Sequence, residues 1–438
     1  MPWKELARNI ALLVGLALSA PAVAAPPNVV LIISDDQGYA DYSFMGHPHI
    51  ETPNLDRLAA QSLTFRRGHV PSSLCSPSLA SILTGLYPHQ HKITSNDPPL
   101  PAGKKGSAAE HDAGFLAQRQ EMIHNFDVVP TLPRLLTPKG YLSFQAGKWW
   151  GGHYSHGGFT HGMTHGDPAR GGRHGDLGLK IGRQGLAEVF TFIDTAVGQG
   201  KPFFLWYAPM MPHSPHTPPE RLLVKYKGKT ESLEVAKYWA MCEWFDETCG
   251  QLLDYLDKKE VASNTLVVYV CDNGWIQDPA ADRYAPRSKQ SPYEGGLRTP
   301  ILIRWSGHVE PKTSDKPVSS IDLAPTILAA VGLEPEPVMR GVNLLDDAAV
   351  NSRKVIFGAV FTHNAVDVQR PVSSLRYRWA IEEDWKLILP APQNEPGENV
   401  ELFDLAHDPD ELSNLAVRNR ERVAHLKQLI SDWWPAEN

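Results

Sequence analysis

The sequence predicts an α/β fold: a large mixed, mostly parallel sheet sandwiched by helices, with a small C-terminal α+β subdomain. Three observations predict it. Short continuous apolar runs recur between residues 28 and 304. Helical patterns alternate with those runs, as in layered α/β folds. After about residue 350 the runs shorten and read as antiparallel strands.

The first run is Asn28-Val29-Val30-Leu31-Ile32-Ile33-Ser34, which suits a strand buried on both faces of a parallel sheet. It ends in Asp35-Asp36-Gln37-Gly38. Similar strands are predicted at 201–207, at 265–271 before Asp272-Asn273-Gly274, and at 300–304. A helix is expected to open at Thr52, with Pro53 in its first turn. Others are expected over 233–256 and 321–331, the last stopped by Gly332. The C-terminal part reads as strands at 355–361, 375–381, 385–390 and 398–404, then a helix over 418–434. The predicted division is a leader over 1–25, a main domain over 26–350 and a C-terminal subdomain over 351–438.

Composition narrows the function. A net charge of −7 and an isoelectric point near 6.2 speak against a nucleic-acid binder, which carries a basic stripe. At the N-terminus, Lys4 and Arg8 precede an apolar stretch, Ile10 to Leu18, and Ala22-Val23-Ala24. This pattern predicts a secretory signal peptide and an exported, periplasmic or extracellular protein. The stretch is shorter than the roughly 20 apolar residues that span a bilayer, so no integral membrane segment is expected. Four cysteines in so long a chain do not make a disulfide scaffold. Cys242 and Cys249 read as packing residues on one helix, too far apart for a bridge.

Asp35, Asp36, Asp272 and Asn273 offer only oxygen donors, and ligands of open α/β sheets sit at the carboxyl ends of strands. One such pair reads as turn capping. Two pairs favour a hard divalent cation, Ca²⁺ or Mg²⁺, over zinc. Cys75 opens a predicted helix and meets the positive end of its dipole, which suits an activated nucleophile or a modification site; the alternative is a buried structural thiol, the commonest fate of a lone Cys. The stretch 151–175 is rich in Gly and His, with His153, His156, His161, His165 and His174. It reads either as a groove wall or as a solvated loop.

The ordered motifs resemble the type I, formylglycine-dependent sulfatases of the alkaline-phosphatase superfamily. They include Cys75 to Gly85, Gly147-Lys148-Trp149, Pro212-His213-Ser214-Pro215, Tyr293 to Pro300, Ile321 to Thr326, and Glu401 to Ala416. The resemblance implies that a maturase converts Cys75 to formylglycine, whose hydrate attacks sulfur and later releases sulfate. It implies Ca²⁺ on Asp35, Asp36, Asp272 and Asn273. It implies that Lys148 and Lys289 bind sulfate oxygens, and that His213 protonates the leaving oxygen. A sulfated small molecule or glycan is the implied substrate.

Two positions depart from the family pattern. Leu79 stands where the motif has an arginine, and Trp150 where it has a histidine. His153 or His156 is the expected substitute for that histidine. Two other readings stay open: a phosphate or phosphonate ester hydrolase of the same superfamily, and a silent glycan-binding protein with unconverted Cys75.

Overall fold

The structure, a computed structural model, describes residues 25–166 and 172–436. Of the expected leader, only Ala25 lies within the described residues. The main sheet contains β1 (Asn28–Ser34), β2 (Leu63–His69), β3 (Leu142–Gly147), β4 (His161–Gly162), β5 (Phe203–Ala208), β6 (Thr265–Cys271), β7 (Arg298–Arg304), β8 (Lys312–Ser314) and β9 (Val318–Ser319). Its order is β4-β3-β5-β1-β6-β7-β2-β8, with β9 also on β2. β7 runs against both its neighbours, and the other pairings are parallel.

The central strands read as continuous apolar runs because both faces are covered. On one side Val29, Leu31 and Ile33 pack with the Cys75–Thr84 and Leu323–Ala330 helices. On the other, Val30 and Ile32 pack with the Pro53–Ala60, Ala187–Gly198 and Leu233–Lys258 helices. Each such side chain contributes about 1.5–3 kcal/mol when fully buried. The β1–β6 register ends with Ser34 opposite Cys271. The following residues, Asp35 and Asp272, therefore leave the sheet side by side.

Some local expectations are corrected. Thr52 does not cap its helix; its hydroxyl bonds Asp56 and Ser43 instead. Ser320–Asp322 forms a 3₁₀ turn, so the helix expected from Ile321 begins at Leu323. Strands β2, β3 and β4 had no expectation attached to them. Cys242 and Cys249 are buried free thiols on the Leu233–Lys258 helix. Among the described residues, no helix is long and apolar enough to cross a membrane.

The second sheet is antiparallel, in the order β10 (Val355–Phe361), β11 (Leu375–Glu382), β12 (Trp385–Pro390) and β13 (Glu401–Asp404). Leu426 and Ile430 of the Arg420–Trp433 helix cover one face. The other face meets Val70 and Leu297 of the main sheet region. Lys386 of β12 crosses this boundary with no exposure, 3.0 Å from Glu294 and 2.8 Å from Glu411. Removing one partner of a buried charge group typically costs about 3–5 kcal/mol. Lys386→Met should therefore lower unfolding stability by about that amount in urea denaturation. Unchanged stability would show that the two carboxylates are balanced without the lysine.

Candidate active site

The carboxyl ends of β1 and β6 hold the site. Asp35 continues β1, its N–H donating to the Met211 carbonyl at 2.9 Å, which fixes the Pro212-His213 loop beside it. Asp36 adopts a left-handed backbone with φ 62, a conformation rare outside glycine and enriched in Asp and Asn. Its N–H donates to Asp272 Oδ1 at 3.1 Å, and Asn273 Nδ2 donates to Asp36 Oδ1 at 2.7 Å. The two strand ends are thus tied across the sheet.

Lysines enter from two further loops. Lys148 follows β3 and lies 2.7 Å from Asp35 Oδ1 and 3.8 Å from Asp272 Oδ2. The preceding Gly147 has φ +100, and a Cβ there would lie 2.0 Å from the Ala208 carbonyl, so only glycine makes this turn. Lys289 donates to Asp36 Oδ1 at 2.6 Å and to Cys75 Sγ at 3.0 Å. Cys75 is the first residue of its helix, and every residue of that helix is buried. The next N–H, of Ser76, donates to Asn96 Oδ1 at 2.9 Å. His213 Nδ1 bonds the Ser214 carbonyl at 2.6 Å, and its Nε2 lies 3.3 Å from Asp36 Oδ2.

The electrostatics follow from burial and crowding. Burial would raise Asp36, but Lys289, His213 and Lys148 hold its carboxyl well below the usual range. Burial, then the neighbouring charge of Asp35, pushes Asp272 well above it. Burial pushes the Cys75 thiol up to about 12, despite Lys148 and Lys289. Both lysines are held above their ordinary range by Asp35 and Asp36 respectively, against the effect of burial.

A hard cation fits these residues. Asp35 Oδ2, Asp272 Oδ2 and Asn273 Oδ1 are buried oxygens without a hydrogen-bond partner. Buried polar atoms are otherwise almost always satisfied, and three orphaned oxygens at adjacent strand ends make a hard-cation donor set. Potential ligand atoms of Asp35, Asp36, Cys75 and His213 lie within 4.8 Å of one another. Such a cation would also relieve the repulsion that raises Asp272.

All eight residues singled out in the sequence meet here. Asp36, Cys75, Lys148, His213 and Lys289 line one cavity of about 280 Å³, and Asp35, Asp272 and Asn273 stand behind Asp36. His153 and His156 do not line that cavity. His153 bonds Ser155, and His156 bonds Asp127. His174 lines it instead, stacked on Trp150 with ring centroids 5.3 Å apart. Asn96, Arg173 and His363 also line it and were not singled out as site residues. They come from separate loops, and no local spacing joins them to Cys75. Leu79 is buried in the apolar cluster beneath the Cys75 helix.

The donor set predicts a measurable linkage. Divalent cation added to chelator-stripped protein should raise its melting temperature, by the equivalent of about 2.7 kcal/mol at 100 times Kd. Asn273→Ala should remove most of that increment in calorimetry. An equal increment in the variant would place cation binding elsewhere.

Comparison with known proteins agrees with this geometry. The sulfatase family model matches residues 27–333. A model described as N-sulphoglucosamine sulphohydrolase, C-terminal, matches residues 287–433. Human N-acetylgalactosamine-6-sulfatase is 26% identical over 474 residues, covering 94% of this chain and 86% of its own length. Human arylsulfatase A is 29% identical over 372 residues, 72% of this chain and 66% of its own. A solved structure in complex with its substrate D-glucosamine-2-N,6-O-disulfate superposes with TM-score 0.71 at 19% identity, covering 94% and 98% of the two chains. That likeness concerns the fold. The family match runs over most of the chain and includes every residue gathered around Cys75 except His363, so this chain belongs to the sulfatase family and is a sulfuric ester hydrolase.

Proposed function

We propose that the protein is exported and hydrolyses sulfate esters of sulfated carbohydrates, with Cys75 matured to formylglycine beside a bound Ca²⁺. One observation carries the reading. Cys75, two charged lysines and a histidine converge at one cavity, and three orphaned oxygens stand behind Asp36 on its wall. Carbohydrate as the substrate class is supported by the N-acetylgalactosamine-6-sulfatase relative and by the sugar disulfate bound in the similar structure. Export rests on the leader pattern at the N-terminus.

The roles follow from position. Lys289, 3.0 Å from Cys75 Sγ, reaches any sulfate bonded at that position. Lys148, tethered to Asp35, supplies a second fixed ammonium group. Held in place by buried carboxylates, both need no reorganisation as charge develops on the sulfate oxygens. The Ser214 carbonyl accepts from His213 Nδ1 and leaves Nε2 toward the cavity, 3.3 Å from Asp36 Oδ2; in the imidazolium form, which that carboxylate and an arriving sulfate favour, Nε2 carries the proton for the departing sugar oxygen. Matured to formylglycine, Cys75 would supply a gem-diol nucleophile in place of a thiol. A cation on Asp35, Asp36, Asp272 and Asn273 would supply Lewis-acid stabilisation of the sulfate charge.

Maturation has a physical constraint. Cys75 is 1% exposed, and its whole helix is buried. A maturase therefore has to reach it before the chain folds. Leu79 would be read by that enzyme in the unfolded chain and packed into the core afterwards.

The test is mass spectrometry of the tryptic peptide Gly68–Lys92 from protein made with a maturase, followed by assays on aryl sulfate and aryl phosphate. Formylglycine at residue 75, with sulfate turned over faster than phosphate, is expected. His213→Ala should lower kcat by about 10²- to 10⁴-fold on substrates with poor leaving groups. Full sulfatase activity with an intact Cys75 thiol would sink the formylglycine reading. Faster turnover of phosphate would sink the assigned substrate.

A further inference from the structure

A second cavity, of about 350 Å³, adjoins the Cys75 cavity, and Arg173 and His174 line both. Its volume falls in the range of about 300–1,000 Å³ typical of ligand pockets. Phe115 and Ile123, from the Ala113–Val128 helix, give it an apolar side. His153, His156 and His165 give it a side of hydrogen-bonding rings.

The shared wall is built around one buried carboxylate. Arg173 Nε donates to Asp97 Oδ1 at 2.7 Å, and its Nη2 donates to Asp97 Oδ2. Arg119 Nη1 lies 3.6 Å from the same carboxylate, and Arg119 Nη2 donates to the Arg173 carbonyl. Asp97 is buried and neutralises one guanidinium, and the second positive charge is offset only from the exposed rim, by Glu110. Arg173 Nη1 has no hydrogen-bond partner among the described residues. Arg173 is further held 5.3 Å over the Trp150 ring. Fixed guanidinium groups of this kind bind carboxylate or sulfate through paired hydrogen bonds. Glu110, on the exposed rim, is the one carboxylate among the described residues lining the cavity.

We propose that this cavity is a subsite for the sugar next to the sulfated one, and that Arg119 and Arg173 bind an anionic group on that sugar. The substrate is then an acidic oligosaccharide rather than an isolated sulfated monosaccharide. The proposal rests on the sulfated-carbohydrate reading. It accounts for the extension of the site beyond the sulfate-binding residues.

Calorimetry on the unconverted, Cys75-containing protein tests it without turnover. Three probes are compared: a 6-sulfated N-acetylhexosamine, the same sugar linked to a uronate, and that disaccharide with its carboxylate reduced to an alcohol. The uronate disaccharide should bind about 10-fold tighter than the monosaccharide. Reduction should remove most of that advantage. Arg119→Ala should collapse the ratio of disaccharide to monosaccharide affinity toward one. Equal binding of monosaccharide and disaccharide by the wild-type protein would overturn the subsite. An advantage that survives both reduction and Arg119→Ala would overturn the anion-binding role. Failure of all three probes to bind would overturn the carbohydrate reading itself, and the subsite with it.

Discussion

Three carboxylates crowd the end of the central sheet, and the surrounding structure compensates for that crowding. Asp35, Asp36 and Asp272 are 2%, 1% and 0% exposed. A buried charge without a partner costs several kcal/mol even after relaxation. The β1–β6 register forces the strand ends together, so repulsion cannot be relieved by moving them apart. Lys148 and Lys289 come in from loops that turn through left-handed backbone. One turns at Gly147, the other between Arg287 and Gln290, both left-handed. Their ammonium groups answer two of the three negative charges. The remaining charge and the orphaned oxygens would be answered by a hard cation.

Packing also determines where Cys75 stands. The Cys75–Thr84 helix is packed on all sides, so its first residue is fixed by the core. Lys289 then links Cys75 to Asp36 by direct bonds. On the far wall, Trp150 supports His174 by stacking and Arg173 by a cation–π contact. A histidine at position 150 would be a smaller platform. The tryptophan therefore changes the cavity wall from a polar group into a support for two others.

The parts of this site legible in the sequence are those whose signal is local. A buried parallel strand is a continuous apolar run, and its end is marked by Asp35-Asp36 or Asp272-Asn273. The boundaries drift by one to three residues; β5 covers Phe203–Ala208 rather than 201–207, and β13 begins at Glu401 rather than 398. Lys148, Lys289 and His213 became legible through motif resemblance, since nothing in their immediate neighbours sets them apart from surface residues. Arg173, Asn96 and His363 were not legible as site residues, because tertiary packing alone brings them to Cys75. The same reason defeats His153 and His156. Nearness to Trp150 in sequence does not place them in its cavity, whereas His174, more distant in the chain, stacks directly on it. Strand β2 was missed because its exposed Arg66 interrupts the apolar run.

Charge balance ties the site to its ester class. Asp35, Asp36 and Asp272 contribute three negative charges, and Lys148 and Lys289 two positive ones. A divalent cation would bring the sum of these groups to plus one before His213 takes up the proton it delivers, and burial favours the neutral imidazole at that stage. A sulfate monoester carries a single negative charge, so it enters a pocket of opposite charge, and Arg173 on the same wall adds to the attraction. A phosphate monoester near neutral pH carries close to two. Its second charge meets the three carboxylates buried at the strand ends, in a cavity where electrostatic interactions are strong. Those carboxylates hold down the positive charge that an incoming ester meets, which weighs toward the singly charged sulfate without any residue that contacts it differently.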